Sequence, residues 1–213
     1  MASITVIGGT GYAGAAIVAE AAERVHRVTA VARSVPMVPI DGVSYLKGSA
    51  LSGELRARAF AGADAVVTAT SPRGDMVEKH VELASALAES AIESGARLIV
   101  VGGFSSLRPA AGAPRFIEGD VPEEYRDEAR AGHAVFESLL AADPALDWTF
   151  VSPAATFGAF APGEATGIYR LGGEIAMLDD DGKSFISAPD FAKAILDLID
   201  GDEHHREHVS VVG

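Results

Sequence analysis

Ile4-Thr5-Val6-Ile7-Gly8-Gly9-Thr10-Gly11-Tyr12-Ala13-Gly14-Ala15-Ala16-Ile17-Val18 is the stretch that decides the fold. An apolar run of strand length, Ile4–Ile7, breaks into a glycine-rich turn, and an alanine-rich helix pattern follows from Ala15 to about Glu23. Each glycine answers a separate steric demand. A side chain at Gly8 obstructs the tight turn, one at Gly11 keeps the backbone off a pyrophosphate, and one at Gly14 holds the helix away from the strand. The helix N-terminus then offers unpaired N–H groups, a natural seat for phosphate. Strand, turn and helix in this order read as a dinucleotide-binding turn, with Gly8, Thr10, Gly11, Tyr12, Ala13 and Gly14 as candidate contacts. Glycines that serve only a turn are the plainer alternative.

Apolar runs recur outward from this point, at Val28–Val31, Val43–Leu46, Ala65–Ala69, Leu98–Val101, Trp148–Val151 and His208–Val212. Helix-like segments separate most of them, which calls for a parallel sheet. Met76–Glu93 carries apolar residues at Val77, Val81, Ala84, Leu87, Ala88 and Ala91, one face of a helix, and Gly95 stands where its C-cap is expected. A further helix is expected over Pro122–Ala142, with Pro122 in the first turn and Glu123 and Glu124 at the positive end of the dipole. The predicted fold is α/β, a Rossmann-type doubly wound parallel sheet of about six or seven strands with helices on both faces. Residues 1–213 read as a single NAD(P)-binding domain, with 153–187 as a loop-rich lobe with short strands on the substrate side.

The second strand ends in Arg33-Ser34, about where an acidic residue grips the ribose hydroxyls in an NAD-selective protein. An arginine and a hydroxyl there match the 2′-phosphate of NADP instead, the guanidinium binding it as a fork. NADP(H) is therefore expected in preference to NAD(H), the alternative being that Arg33 is a solvated loop residue.

Composition removes several function classes. The 213 residues include no cysteine, which excludes disulfides, thiolate metal sites and cysteine nucleophiles and fits a reducing compartment. Thirty acidic against seventeen basic side chains, a formal charge of −13, disfavour nucleic acid as a partner. No apolar stretch approaches the roughly 20 residues of a membrane span and no basic leader precedes the first strand, so a cytoplasmic protein is expected.

The chain resembles the atypical short-chain dehydrogenase/reductase proteins, specifically the NmrA-like NAD(P)H-binding group that includes proteins described as NADH-flavin reductases. The likeness spans nearly the whole chain. It rests on Gly8-Gly9-Thr10-Gly11 with Gly14, on Ala61-Gly62-Ala63-Asp64-Ala65-Val66-Val67, and on Val100-Val101-Gly102-Gly103 followed by Ser105-Ser106-Leu107. Trp148-Thr149-Phe150-Val151-Ser152-Pro153-Ala154 and Tyr169-Arg170-Leu171-Gly172-Gly173 complete it. The resemblance implies a dinucleotide lying across the carboxyl ends of the strands. Thr10 to Ala13 would meet its pyrophosphate and Arg33 its adenosine phosphate. Thr70, Ser71, Gly102 and Gly103 would line the ribose and nicotinamide, with Pro153 at the nicotinamide border. Where the family carries a Gly-Asp pair beside the adenine, this chain has Gly48-Ser49, a hydroxyl in place of the carboxylate.

The Tyr-x-x-x-Lys pair with which short-chain dehydrogenases protonate an alkoxide is missing. The corresponding helix instead aligns Tyr125, Ala129, His133 and Glu137, so His133 stands near the family lysine and alanine replaces the tyrosine. Flavins and quinones are strongly oxidising and need mainly to be positioned for hydride transfer. Ser105 and His133 are the candidate catalytic side chains, Ser105 to hydrogen-bond the acceptor or the nicotinamide amide. Their plainer readings are a loop cap and a structural histidine paired with Glu137. The leading expectation is an NAD(P)H-dependent oxidoreductase acting on a flavin, quinone or similar conjugated acceptor, with flavin as substrate and not as a bound prosthetic group. The alternative is a non-catalytic redox sensor acting through a protein partner. A reductase or epimerase of the sugar-nucleotide or isoflavone type lacks its acid residue. No metal site is expected from His204, His205 and His208, and Asp179-Asp180-Asp181-Gly182 reads as a solvated turn. No Gly-x-Ser-x-Gly elbow is present. A monomer or homodimer is expected.

Overall fold

The computed structural model describes residues 1–179 and 181–213. One sheet organises them, in the order β3 (Ser44–Lys47), β2 (Arg27–Ala32), β1 (Ser3–Ile7), β4 (Ala65–Thr68), β5 (Arg97–Val101), β6 (Trp148–Pro153), β8 (Glu207–Val212) and β7 (Arg170–Gly172). All neighbours are parallel except β7, which runs antiparallel to β8 at the edge. This is the doubly wound arrangement, with eight strands where the apolar runs marked seven. The eighth, β7, is a short strand of the 153–187 lobe, only three residues long and with Leu171 exposed, so no apolar run marks its place.

Strand order reverses between β1 and β4, and a crevice opens outside their carboxyl ends at such a switch point. The helices fix that frame from both faces. On one face α1 (Tyr12–Glu23) and α5 (Ala188–Gly201) bury Ile17, Val18, Ala21, Phe191 and Ile195 against Ile4, Val6, Val67, Ile99 and Val151. On the other face α2 (Gly53–Phe60), α3 (His80–Ser94) and α4 (Glu123–Leu140) set Phe60, Leu87, Phe136 and Leu139 against Ile7, Val66, Leu98, Val100 and Phe150. Adjacent residues such as Val66 and Val67 thus enter opposite cores, as the two-residue repeat of a strand demands. Each large aliphatic or aromatic side chain so buried contributes about 1.5–3 kcal/mol relative to exposure.

Three boundaries differ from expectation. The helix expected from Met76 begins at His80, because Gly74 has a positive φ of 58° and residues 74–76 form a single 3-10 turn. Pro122 is the residue before α4 and not part of its first turn, with an extended ψ of 139°. Helix α1 starts three residues earlier than Ala15, directly on Gly11. Gly95 does close α3 in the left-handed conformation, φ 73°. Helices α2 and α5 were not anticipated, although Ser52 and Ser187 cap them by accepting from Leu55 N and Asp190 N.

Candidate functional site

The parallel register brings the carboxyl ends of β1 to β6 to one edge of the sheet, and with them the turns that carry Gly8–Gly14, Arg33–Ser34, Gly48–Ser49, Thr70–Ser71 and Gly102–Gly103. Gly8 turns the chain at φ 80°, and both Gly8 and Gly9 donate their N–H to Val31 O, at 2.9 and 3.1 Å. A Cβ on Gly14 would stand 2.1 Å from Gly8 O, so the helix can approach the turn this closely only without a side chain. A Cβ on Gly11 would meet only Gly8 O, at 3.3 Å, and otherwise open space. Gly11 is the N-cap of α1, and neither a capping side chain nor an acidic residue serves its first turn. The N–H groups of Tyr12, Ala13 and Gly14 therefore have no intrahelical acceptor and face the crevice with the positive end of the dipole. The cradle fits a pyrophosphate, with Thr10 beside it and the half-buried Tyr12 ring set edge-on to Phe157 at 5.3 Å.

Toward the β3 edge, Arg33 and Ser34 are exposed at the end of β2. Gly48 donates its N–H to Ala32 O at 2.9 Å, which seats Gly48 and Ser49 next to them. Ser49 Oγ accepts from Leu51 N at 3.3 Å, a local turn contact. Toward the other edge, Thr70 Oγ1 lies 3.1 Å from Thr68 Oγ1, and Ser71 Oγ donates to Glu128 on α4 at 3.4 Å.

Gly102 and Gly103 follow β5 for different reasons. A Cβ on Gly102 would lie 2.2 Å from the buried Phe150 ring, whereas one on Gly103 would meet only Ser105 Oγ, at 3.9 Å. Gly102 makes room for the core and Gly103 leaves room outside it. Pro153 is buried at the end of β6, and its neighbour Ser152 donates its hydroxyl to Gly103 O at 2.8 Å. With that proton committed, His208 must donate Nε2–H to Ser152 Oγ, also at 2.8 Å, leaving Nδ1 buried with no partner among the described residues. Burial, reinforced by the Arg115 charge, pulls the His208 pKa down to about 3.

Among the described residues no hydrogen bond joins Ser105 to His133. The short 3-10 turn Phe104–Ser106 leaves Ser105 half exposed and turns Ser106 inward, where its Oγ lies 3.2 Å from His133 Nδ1. Glu137 stands 3.9 Å from His133 Nε2, beyond hydrogen-bond reach, so Ser106 is the partner that Glu137 was expected to be. Burial lowers the His133 pKa, opposed by Glu137 and Glu118 and assisted by Arg115. Arg115 also donates to Ser106 O at 2.6 Å and to Glu174 at 2.5 Å, and its guanidinium lies 4.8 Å from the centre of the Phe136 ring. The grouping of Ser106, Arg115, Ser152 and His208 escaped the sequence reading because they come from four separate elements. Ser106 and Ser152 stood within the motifs that carry the resemblance and His208 among the C-terminal histidines, but nothing in the sequence links them. Of the C-terminal histidines, His204 pairs with Glu207 and His205 with Asp147, while His208 points inward. Among the described residues no three His, Cys, Asp or Glu side chains converge as metal ligands. Asp179 Oδ1 accepts from Asp181 N and Lys183 N in a local turn, and Asp180 lies outside the described residues.

The segment after Pro153 covers the glycine-rich turn from above: Tyr12 donates its hydroxyl to Pro162 O at 3.5 Å. Asp190, buried at the start of α5, holds that segment by accepting from Gly167 N at 2.8 Å, Thr166 N at 3.0 Å, Thr166 Oγ1 at 3.1 Å and Ser187 Oγ at 2.8 Å. Desolvation works to raise the Asp190 pKa, but these donors outweigh it and hold it below the usual value.

Comparison with known proteins agrees with this geometry. Residues 8–202 match the model of the NAD(P)H-binding family. The chain is 35% identical to the uncharacterized Bacillus subtilis protein YwnB over 98% of its own length and 97% of that protein. A Streptococcus pneumoniae protein provisionally described as an NADH-flavin reductase superimposes with a TM-score of 0.90 at 33% identity, covering 100% of this chain and 99% of the other. A Bacteroides thetaiotaomicron protein provisionally described as an epimerase gives 0.88 at 30% identity, over 100% and 97% of the two chains. From the glycine-rich turn to the end of α5 the chain belongs to the NAD(P)H-binding family, an atypical group of the short-chain dehydrogenase/reductase type.

Proposed function

We propose that this protein is an NADP(H)-preferring oxidoreductase that passes hydride to a flavin, quinone or similar conjugated acceptor, which binds as a substrate. The observation that carries the reading is the pairing of an open cradle at Gly11 with an open wall at Gly103, and the absence of a Tyr-x-x-x-Lys pair between them. A bound nicotinamide supplies the hydride. The amides of Tyr12, Ala13 and Gly14 hold its pyrophosphate, Arg33 and Ser34 the adenosine phosphate, and Gly48 and Ser49 border the adenine. Thr70, Ser71, Gly102, Gly103 and Pro153 bound the reacting end. An acceptor of this class needs orientation more than acid catalysis, and the half-exposed Ser105 is placed to supply one hydrogen bond. His133, turned toward Ser106 and with its pKa lowered by burial, positions the turn that carries Ser105. The Streptococcus pneumoniae relative supports the same acceptor class.

A redox sensor is the second reading, favoured by the burial of His133 and its engagement with Ser106, which leaves Ser105 as the polar candidate facing the acceptor. Purified protein is assayed optically for NADPH oxidation with FMN, FAD and a panel of quinones. Turnover that a Gly11→Trp control abolishes and Ser105→Ala reduces supports the reductase. Tight NADPH binding with no turnover on any acceptor selects the sensor.

A further inference from the structure

The glycine-rich turn sits at the end of β1, flanked in the sheet by β2 on one side and β4 on the other. The loops that leave these two flanking strands meet across it. Arg33, at the end of β2, places Nη1 3.2 Å from Asp75 Oδ1 and 3.5 Å from Oδ2, and Asp75 stands in the 3-10 turn that follows β4. Among the described residues Asp75 is the one carboxylate that pairs with Arg33. The contact engages a single guanidinium nitrogen, and the side chains are 72% and 63% exposed. Such an open, one-point pair is worth little and exchanges readily. A phosphate presented to the free nitrogens of the same guanidinium binds as a two-point fork, which is stronger.

The strap that carries Asp75 is tethered on its other side as well. Arg73 Nε lies 2.9 Å from each carboxylate oxygen of Glu128 on α4, so the β4–α3 connection is pinned to α4 at one end and to Arg33 at the other. Met76, next in the chain after Asp75, packs against the core and holds the strap, whereas the Asp75 side chain is largely exposed and can leave Arg33 by side-chain rotation alone.

We infer that Asp75 is a specificity-determining residue: it occupies Arg33 when no 2′-phosphate is present, and NADP(H) must displace it to bind. This inference rests on the assignment of Arg33 to the 2′-phosphate. Its competition for Arg33 acts on NADP(H) and not on NAD(H), which narrows the gap between the two. The phosphate displaces a carboxylate from a guanidinium, and no covalent bond changes.

The test is a double-mutant cycle on the full chain. Wild type, Asp75→Asn, Arg33→Ala and the double variant are titrated with NADPH and with NADH at low ionic strength, followed by cofactor fluorescence. Asp75→Asn tightens NADPH binding by about two- to fivefold, the range set by an exposed ion pair, and leaves NADH unchanged. The gain disappears on the Arg33→Ala background and shrinks in high salt. Weaker NADPH binding in Asp75→Asn, an equal change for NADH, or the same gain without Arg33 overturns the inference. If Arg33→Ala weakens NADPH selectively but Asp75→Asn gains nothing, the competition alone falls. If Arg33→Ala weakens both cofactors equally, the assignment of Arg33 to the phosphate fails, and the role of Asp75 fails with it.

Discussion

Replacing Gly14 with alanine separates packing from binding at the glycine-rich turn. The new Cβ would start 2.1 Å from Gly8 O, a backbone atom fixed by the bonds from Gly8 N and Gly9 N to Val31 O. Relieving that clash needs a shift of about 1 Å between α1 and β1. Helix α1 is wedged against α5 through Ile17, Val18 and Ala21, so the shift disturbs a full core; overpacking of this kind costs about 1–3 kcal/mol. The better helix propensity of alanine returns at most about 1 kcal/mol. An approach of 2.1 Å to a fixed backbone atom puts the cost in the upper part of the overpacking range, about 2–3 kcal/mol, so a net loss of about 1–2 kcal/mol lowers Tm by about 2–8 °C for a chain of this size. The same displacement carries the Tyr12, Ala13 and Gly14 amides out of hydrogen-bond range of a phosphate. Losing one charge-assisted bond, about 1.5–3 kcal/mol, weakens NADPH tenfold or more. Gly11→Ala is the matched control, since its Cβ meets one atom at 3.3 Å: Tm falls by only about 1–3 °C while NADPH affinity still drops. Differential scanning fluorimetry and cofactor titration read both variants. Wild-type Tm and affinity in Gly14→Ala, or an equal loss of Tm in Gly11→Ala, would refute the division of roles between the two glycines.

Three further outcomes follow from the buried groups. Asp190→Asn turns an amide donor toward the donors of Thr166, Gly167 and Ser187, and should cost about 2–4 kcal/mol by urea denaturation and raise the KM for the acceptor more than it lowers kcat; an unchanged urea midpoint contradicts the role given to Asp190. His208 has a folded-state pKa of about 3, below its unfolded value near 6.5, so the unfolded chain takes up the proton first. The stability it contributes is complete above pH 6.5 and declines as pH falls toward 3, by at most about 1.4 kcal/mol per pH unit. His208→Gln, which keeps a donor for Ser152 but does not titrate, should flatten the urea midpoint between pH 6.5 and 4, and an unaltered slope would rule out His208 as its source. Gly102→Ala forces a Cβ to 2.2 Å from the Phe150 ring and should cost about 1–3 kcal/mol in the same assay, with Gly103→Ala near neutral in stability; equal losses would contradict the contrast.

The glycine-rich turn was legible in the sequence because its demands are local. A turn at positive φ, a close helix approach and an open phosphate seat each exclude a side chain at one position, and Gly8, Gly14 and Gly11 record those exclusions directly. Alternation of apolar runs with helix patterns was legible for a similar reason: parallel neighbours need a crossover, and its period differs from that of a strand. Signals for α2 and α5 were also present, in Ser52 before Leu55 and in Ser187-Ala188-Pro189-Asp190 before the run through Phe191 and Ile195. The sequence pattern of β7 carried no such mark, since a three-residue edge strand buries too little to impose alternation.

What only the tertiary structure decided are the polar contacts between residues far apart in the chain. Ser152 meets His208 at a separation of 56 residues, Ser106 meets His133 at 27, and Arg33 meets Asp75 at 42. Local propensity says nothing about such pairs, because their partners are chosen by the strand order and by which way each short turn rotates a side chain. Ser105 and Ser106 are indistinguishable as neighbours in sequence, yet one 3-10 turn exposes the first and buries the second. By itself the sequence determined the close strand-turn-helix junction at Gly8, Gly11 and Gly14, because steric exclusion acts on single residues. The surroundings of Ser105 waited on the fold, because they are built from side chains that only the assembled sheet brings together.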